Sequence, residues 1–190
     1  TDEQGNALPV VFGYNRRFID ANAEKGLLDW NYYPTEEIGA RNSSNIENDL
    51  RLNLNLGYEI ANGLKASVFY QYWTNTAQSE NLQTLDLYTT RDIINRFTQV
   101  QQGGALSFPI PRNSILNIQN QNAFSHSLRG QLSYKKELGQ KGVLDAIGGW
   151  ELKDFQTSGR GFRYYGYREN IGVSQPVDLI NTYRQFHSGA

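Results

Sequence analysis

Between Leu50 and Ile60 every second residue is apolar: Leu50, Leu52, Leu54, Leu56, Tyr58 and Ile60 alternate with Arg51, Asn53, Asn55, Gly57 and Glu59. Successive side chains of an extended chain point to opposite faces, so a strict period of two gives one apolar and one polar face. A helix needs apolar positions three and four apart, and no such stripe fits these residues. The spacing predicts a strand over 47–60 with two unlike sides. Asn62-Gly63 follows, a pair suited to positive φ in a tight turn. Beyond it Leu64, Ala66, Val68, Tyr70 and Tyr72 alternate with Lys65, Ser67, Phe69, Gln71 and Trp73, which predicts a partner strand over 64–73.

A second hairpin is predicted from strands near 123–134 and 143–155. Phe124, Leu128, Leu132 and Tyr134 share a face with His126 and Gly130; Leu144, Ala146, Gly148, Trp150 and Leu152 share one on the next strand, where Ile147 is out of phase. A short charged turn, 135–142, joins the two. Long connections, expected as loops, fill 1–46, 74–121 and 156–190. Within them 90–100 suggests a helical turn with Ile93, Ile94 and Phe97 on one side, and Pro109 and Pro111 predict an extended run.

The expected fold class is all-β: an antiparallel transmembrane β-barrel segment of four long strands in two hairpins, incomplete as a barrel. Fourteen residues at about 3.3 Å, tilted about 40°, rise roughly 35 Å, more than the apolar band of about 25 Å on a membrane barrel. Ordinary globular strands average only about five or six residues. Short turns alternating with long loops also match barrels, as do aromatics near strand ends: Tyr58 and Tyr134 by the short turns, Tyr70 and Tyr72 at the opposite end. The polar face, with Arg51, Asn53, Asn55, Glu59, Arg129 and Gln131, reads as the wall of a wet lumen. A soluble antiparallel sheet shares the period. Four strands cannot close a barrel, so the remaining wall is expected from further sequence or partner chains.

Composition narrows the function classes. With no cysteine there is no disulfide, thiolate metal site or cysteine nucleophile. Methionine is absent and the sequence starts at Thr1, from which we expect a processed or excised piece. Apolar residues are 38% and charged residues 19%, with 19 Asn, 14 Gln and 13% aromatics, a balance unlike that of disordered chains. The net charge of −1 argues against a nucleic-acid surface. No apolar run approaches the roughly 18 residues of a membrane helix, which leaves a membrane β-barrel open.

Several segments together resemble one family: Leu28-Asp29-Trp30-Asn31-Tyr32, the 48–73 hairpin, 87–100 (LYTTRDIINRFTQV), 127–134 (SLRGQLSY), 144–153 (LDAIGGWELK), and 165–177 with its Gly-Tyr-Arg-Glu-Asn and Gln-Pro-Val-Asp. In order and spacing they are similar to the middle of the barrel of SusC/RagA-type TonB-linked outer-membrane transporters. The resemblance covers about 1–176; where the family often has a glycine pair after Ile-Pro, this chain reads Ile110-Pro111-Arg112-Asn113-Ser114-Ile115-Leu116. It implies a bacterial outer-membrane barrel of about 22 strands. It also implies an amino-terminal plug domain contacted by TonB, which this segment is expected to be without, a SusD-like surface lipoprotein as lid, and oligosaccharide or peptide cargo. A siderophore-type TonB-dependent receptor shares the barrel but not these motifs.

No catalytic motif is found, and neither a cofactor nor an enzyme activity is expected. His126 and His187 are far apart and lack a metal-like set of neighbours; Glu36-Glu37 and the Asp145/Glu151 pair read as solvated charges. Gly103-Gly104 suggests a turn and Gly148-Gly149 close strand packing. The candidate ligand-binding residues are the loop aromatics and arginines: Trp30, Tyr32 and Tyr33 in the first long segment, and Arg160, Arg163, Tyr164, Tyr165 and Tyr167 in the last, beside Phe162 and Arg168. Aromatic faces and arginine forks suit sugar rings and carboxylates, and equally protein interfaces. The plainer alternative is that they pack the loops or hold a lid. A reading from another class, a secreted all-β glycan-binding module, would hide Leu50–Leu56 in a core, whereas a barrel would expose them.

Overall fold

The computed structural model describes residues 3–38, 40–139 and 142–186; His187 lies outside them. In chain order the elements are α1 (Arg16–Asn22), β1 (Arg41–Ala61), β2 (Leu64–Gln83), α2 (Tyr88–Phe97), β3 (Gln99–Val100), β4 (Leu106–Ser107), β5 (Ser114–Glu137) and β6 (Val143–Tyr167). The chain is mostly antiparallel sheet. The four long strands pair in the order β1-β2-β5-β6, leaving β1 and β6 as edges, and β3 pairs with β4.

The strands run 20 to 25 residues, further than hydrophobic alternation predicted. They take in 41–46, 74–83, 114–121 and 156–167, all expected as loop. These extensions are mostly polar, and although Leu82, Ile115 and Leu116 are buried in them, no apolar alternation as long as that of Leu50–Ile60 runs through them, so a test for apolar contrast does not see them. Cross-strand polar pairs replace that contrast. Asn75 Nδ2 donates to Glu47 Oε1 at 2.8 Å, Asn81 Nδ2 to Ser43 Oγ at 2.7 Å, and Arg163 Nε to Asn117 Oδ1 at 2.6 Å. The extended run predicted around Pro109 and Pro111 is instead a series of bends. After it Ile115 and Leu116 enter β5 as buried residues.

Glycines hold two of the predicted turns. Gly63 has φ +79°, and a Cβ there would lie 2.1 Å from the Lys135 carbonyl oxygen. Gly103 and Gly104 both have positive φ in the connection between β3 and β4. Of the Gly148-Gly149 pair only Gly149 meets a close backbone, 2.5 Å from a built Cβ to the Gly130 carbonyl oxygen.

Two compact units divide the chain: Asn45–Gln78 with Gln119–Arg160, and Thr1–Ser44 with Ser79–Ile118 and Gly161–Ala190. The first, which we call the sheet unit, is strand and turn. The second, the helical unit, holds α1, α2 and most of the buried residues. Asn15 caps α1 by accepting the Phe18 N–H at 2.9 Å. The helical turn predicted at 90–100 is the ten-residue α2, and its buried stripe is Tyr88, Arg91, Ile94 and Asn95 rather than Ile93, Ile94 and Phe97. Arg91 and Asn95 are paired, whereas the hydroxyl of Thr90, buried on the same helix, has no hydrogen-bond partner among the described residues. Arg91 donates from Nε to Asp29 O, from Nη1 to Leu85 O and Asp86 O, and from Nη2 to Asn31 O, at 2.6 to 2.9 Å. Asn95 exchanges two bonds with the Leu28 backbone, at 2.8 and 2.9 Å.

Candidate functional site

In the sheet unit the apolar face is uncovered. Leu50, Leu52, Leu54 and Leu56 are 50 to 61% exposed, and Tyr58, Ile60, Leu132, Leu144, Trp150 and Leu152 are exposed with them. The apolar positions span 50–60, 64–72, 124–134 and 144–152, nine to eleven residues per strand. At about 3.3 Å each and about 40° of tilt this is roughly 23–28 Å. Polar residues follow at once on the same phase: Asn48, Thr74, Asn122 and Asp154. At that margin Tyr70 and Tyr72 are joined by two residues of β5. His126 Nδ1 lies 2.8 Å from the Tyr70 hydroxyl, its ring centre 5.1 Å from that of Tyr72 and 6.0 Å from that of Phe124. Gly130 leaves room for Trp150, whose indole would stand 2.8 Å from a Cβ at 130.

The polar face of the same unit carries aromatics that the loop-centred reading passed over. Trp73 Nε1 donates to Asp49 Oδ2 at 2.6 Å, and the Arg51 guanidinium lies 5.9 Å from the Trp73 ring centre. The Phe155 ring stands 6.1 Å from that of Trp73 at an interplanar angle of 13°. Further along β2, Phe69 is met by the Arg129 guanidinium at 4.7 Å. Gln71 Nε2 donates to Asn53 Oδ1 at 2.8 Å, and Ser127 Oγ to Glu151 Oε1 at 3.2 Å. The signal was in the sequence, because Phe69, Trp73 and Phe155 occupy polar-phase positions of their ladders, as Ile147 also does.

The loop aromatics fall in two places. Trp30 is 3% exposed and packs in the helical unit, its ring 5.1 Å from Tyr14, 5.2 Å from Phe18 and 6.0 Å from Phe186. Tyr32 is half-buried between Phe12 and Tyr88. Tyr33 is half-buried as well, and burial, with the Asp29 carboxylate beside it, raises its hydroxyl pKa. Arg160, Arg163, Tyr164, Tyr165 and Tyr167 are strand residues of β6 rather than loop residues. Arg160, Arg163 and Tyr164 are exposed, with Tyr164 against Phe162 at 6.3 Å; Tyr165 and Tyr167 are half-buried. Trp30 thus serves as core, whereas the β6 group keeps surface available to a ligand.

Among the described residues no group of three or more His, Cys, Asp and Glu side chains is placed to hold a metal ion, and no helix is long and apolar enough to cross a membrane. Of the carboxylates Asp145 and Glu151, Glu151 accepts from Ser127 Oγ. A scan against protein-family models and a search among curated proteins find no match to this chain.

Proposed function

We propose that this chain forms part of the wall of a transmembrane β-barrel in a bacterial outer membrane. The observation that carries the reading is the uncovered apolar face of the sheet unit, about as tall as a barrel's lipid band and bounded by polar and aromatic residues. Exposed apolar patches of this kind mark interaction or membrane surfaces, since water penalises them. The edges β1 and β6 carry strand amides that hydrocarbon would not tolerate unpaired. Their partners are further strands of the barrel.

By the resemblance of its segments, the barrel is that of a SusC/RagA-type TonB-dependent transporter. It imports oligosaccharides or peptides, works with a SusD-like surface lipoprotein, and is driven by TonB through a plug domain. In this arrangement the chain's role is passive: the apolar face meets lipid, the polar face lines the lumen, and the β6 aromatics and arginines meet cargo or lid. The test is to extract the native polypeptide from outer membranes in mild detergent with an antibody to this segment, and to measure its intact mass and partners. A chain several times longer, accompanied by a lipoprotein, is expected. A free 190-residue species in the aqueous fraction overturns the reading in favour of a secreted glycan-binding module.

A further inference from the structure

We propose that the apolar side of the sheet unit holds a site for one lipid with an uncharged sugar headgroup, at the margin where the leucine ladder gives way to asparagines. The inference rests on the barrel reading, in which this side meets lipid and the margin distant from the short turns lies in the outer leaflet.

Three kinds of surface follow one another along a single phase of β1, β2 and β5. Leu52, Leu54 and Val68 continue the apolar surface toward the Asn62-Gly63 turn and are 45 to 55% exposed. At the margin the exposed His126 lies among the rings of Tyr70, Tyr72 and Phe124. With the Tyr70 hydroxyl donating to Nδ1, the neutral imidazole carries its proton on Nε2, which is left as a donor. Farther from the turn the same phase lines a hollow of about 310 Å³ with Ile46, Asn48, Thr76, Gln78, Asn120 and Asn122. All of these residues belong to the sheet unit.

On the opposite face the carboxamides bond to one another and to carboxylates, as Gln71 does to Asn53 and Asn75 to Glu47. Around the hollow they do not: among the described residues none takes up the carboxamides of Asn48, Asn120 or Asn122. Each of those groups both donates and accepts, as a sugar hydroxyl does. The hollow is at the small end of ligand sites, the scale of a headgroup rather than of a polymer. None of the described residues lining it is charged, so it offers no guanidinium or ammonium to a phosphate. The order carboxamides, imidazole, leucines is that of a glycolipid's sugar, ester carbonyl and acyl chains. His126 Nε2 would donate to the ester carbonyl, and the leucine ladder would carry the chains.

The test uses the full-length polypeptide purified from outer membranes and stripped of lipid in mild detergent. It is offered an equimolar mixture of monogalactosyl diacylglycerol, phosphatidylglycerol and phosphatidylethanolamine, all with dioleoyl chains, and native mass spectrometry counts what it retains. The galactolipid is expected to be retained about tenfold over either phospholipid. The excess should vanish in Asn48→Leu/Asn122→Leu and fall about threefold in His126→Phe, which keeps a ring and reads the site should the double variant fail to assemble. Equal retention of the three lipids, or an excess untouched by both variants, overturns the site while leaving the barrel reading standing. Preferential retention of either phospholipid overturns the headgroup class. Recovery of the chain outside the outer membrane overturns the barrel reading itself, and the site with it.

Discussion

Asp92 Oδ1 accepts from both the Trp30 indole at 3.0 Å and the Tyr14 hydroxyl at 3.1 Å, so one carboxylate on α2 ties together residues 62 and 78 positions away in sequence. Its second oxygen faces Arg96 Nη1 at 3.7 Å. Removing the carboxylate leaves one buried and one half-buried donor without an acceptor, a cost of about 1–3 kcal/mol for each such group. We expect Asp92→Ala to loosen the helical unit by about 2–4 kcal/mol and Asp92→Asn by about 1 kcal/mol, since the amide oxygen still accepts. Hydrogen exchange of the α2 amides measures both. Equal protection in Asp92→Ala and the parent would show that the node is not stabilising.

Leu54 and Asn55 are neighbours that face opposite sides, and only the Leu54 face is apolar. Leu54→Arg is expected to impair barrel assembly by roughly 2–4 kcal/mol if the position lies at mid-membrane, while Asn55→Arg, on the polar phase with Asn53 and Arg51, is tolerated. The folded fraction recovered from outer membranes distinguishes them. Equal tolerance of both would sink the facing assigned to β1.

What could be read from the sequence follows from how each segment is stabilised. The Leu50–Ile60 ladder announced its strand because its two faces differ in polarity. The strand extensions at 74–83 and 156–167 did not, because polar pairs such as Asn75–Glu47 carry no periodic contrast. α2 was half legible. Ile94 marks its buried face, but Arg91 and Asn95 are buried there too, satisfied by backbone carbonyls contributed from residues 28–31. No local rule predicts such distant partners. The same limit explains Trp30, which looked like an accessible binding aromatic until Asp92 and the rings of Tyr14 and Phe18 closed over it.

Gly63 joins the first hairpin to β5, since the Lys135 N–H donates to its carbonyl oxygen at 2.8 Å. A methyl group there would meet the Lys135 carbonyl while the backbone sits at φ +79°, so contact and conformation penalise alanine together. Gly63→Ala should cost about 2 kcal/mol or more. Gly148→Ala, with nothing within 4 Å of its Cβ and no positive φ, should be neutral or stabilise by up to about 1 kcal/mol. Urea denaturation of the extracted barrel compares the two. A Gly148→Ala cost matching that of Gly63→Ala would mean that the turn geometry does not limit this hairpin.

Alkaline pH is expected to open the helical unit before the sheet unit. Burial pushes the Tyr88 hydroxyl up to about 12, with the nearby Asp92 carboxylate adding to it, and Tyr14 is raised for the same two reasons. Because the folded pKa exceeds the unfolded value near 10, the unfolded chain loses its phenolic proton first as pH rises. The contribution of Tyr88 is therefore complete below pH of about 10 and is lost progressively toward about 12. Following tyrosinate absorbance together with hydrogen exchange of α2 should show exposed tyrosines ionising first, then a late phase coincident with loss of α2 protection. Tyr88→Phe keeps the ring between Phe12 and Tyr32 and gives up only a 3.3 Å bond to the Phe12 carbonyl. It should move the loss of α2 protection to higher pH, and an unchanged midpoint would remove Tyr88 as a source of the alkaline sensitivity.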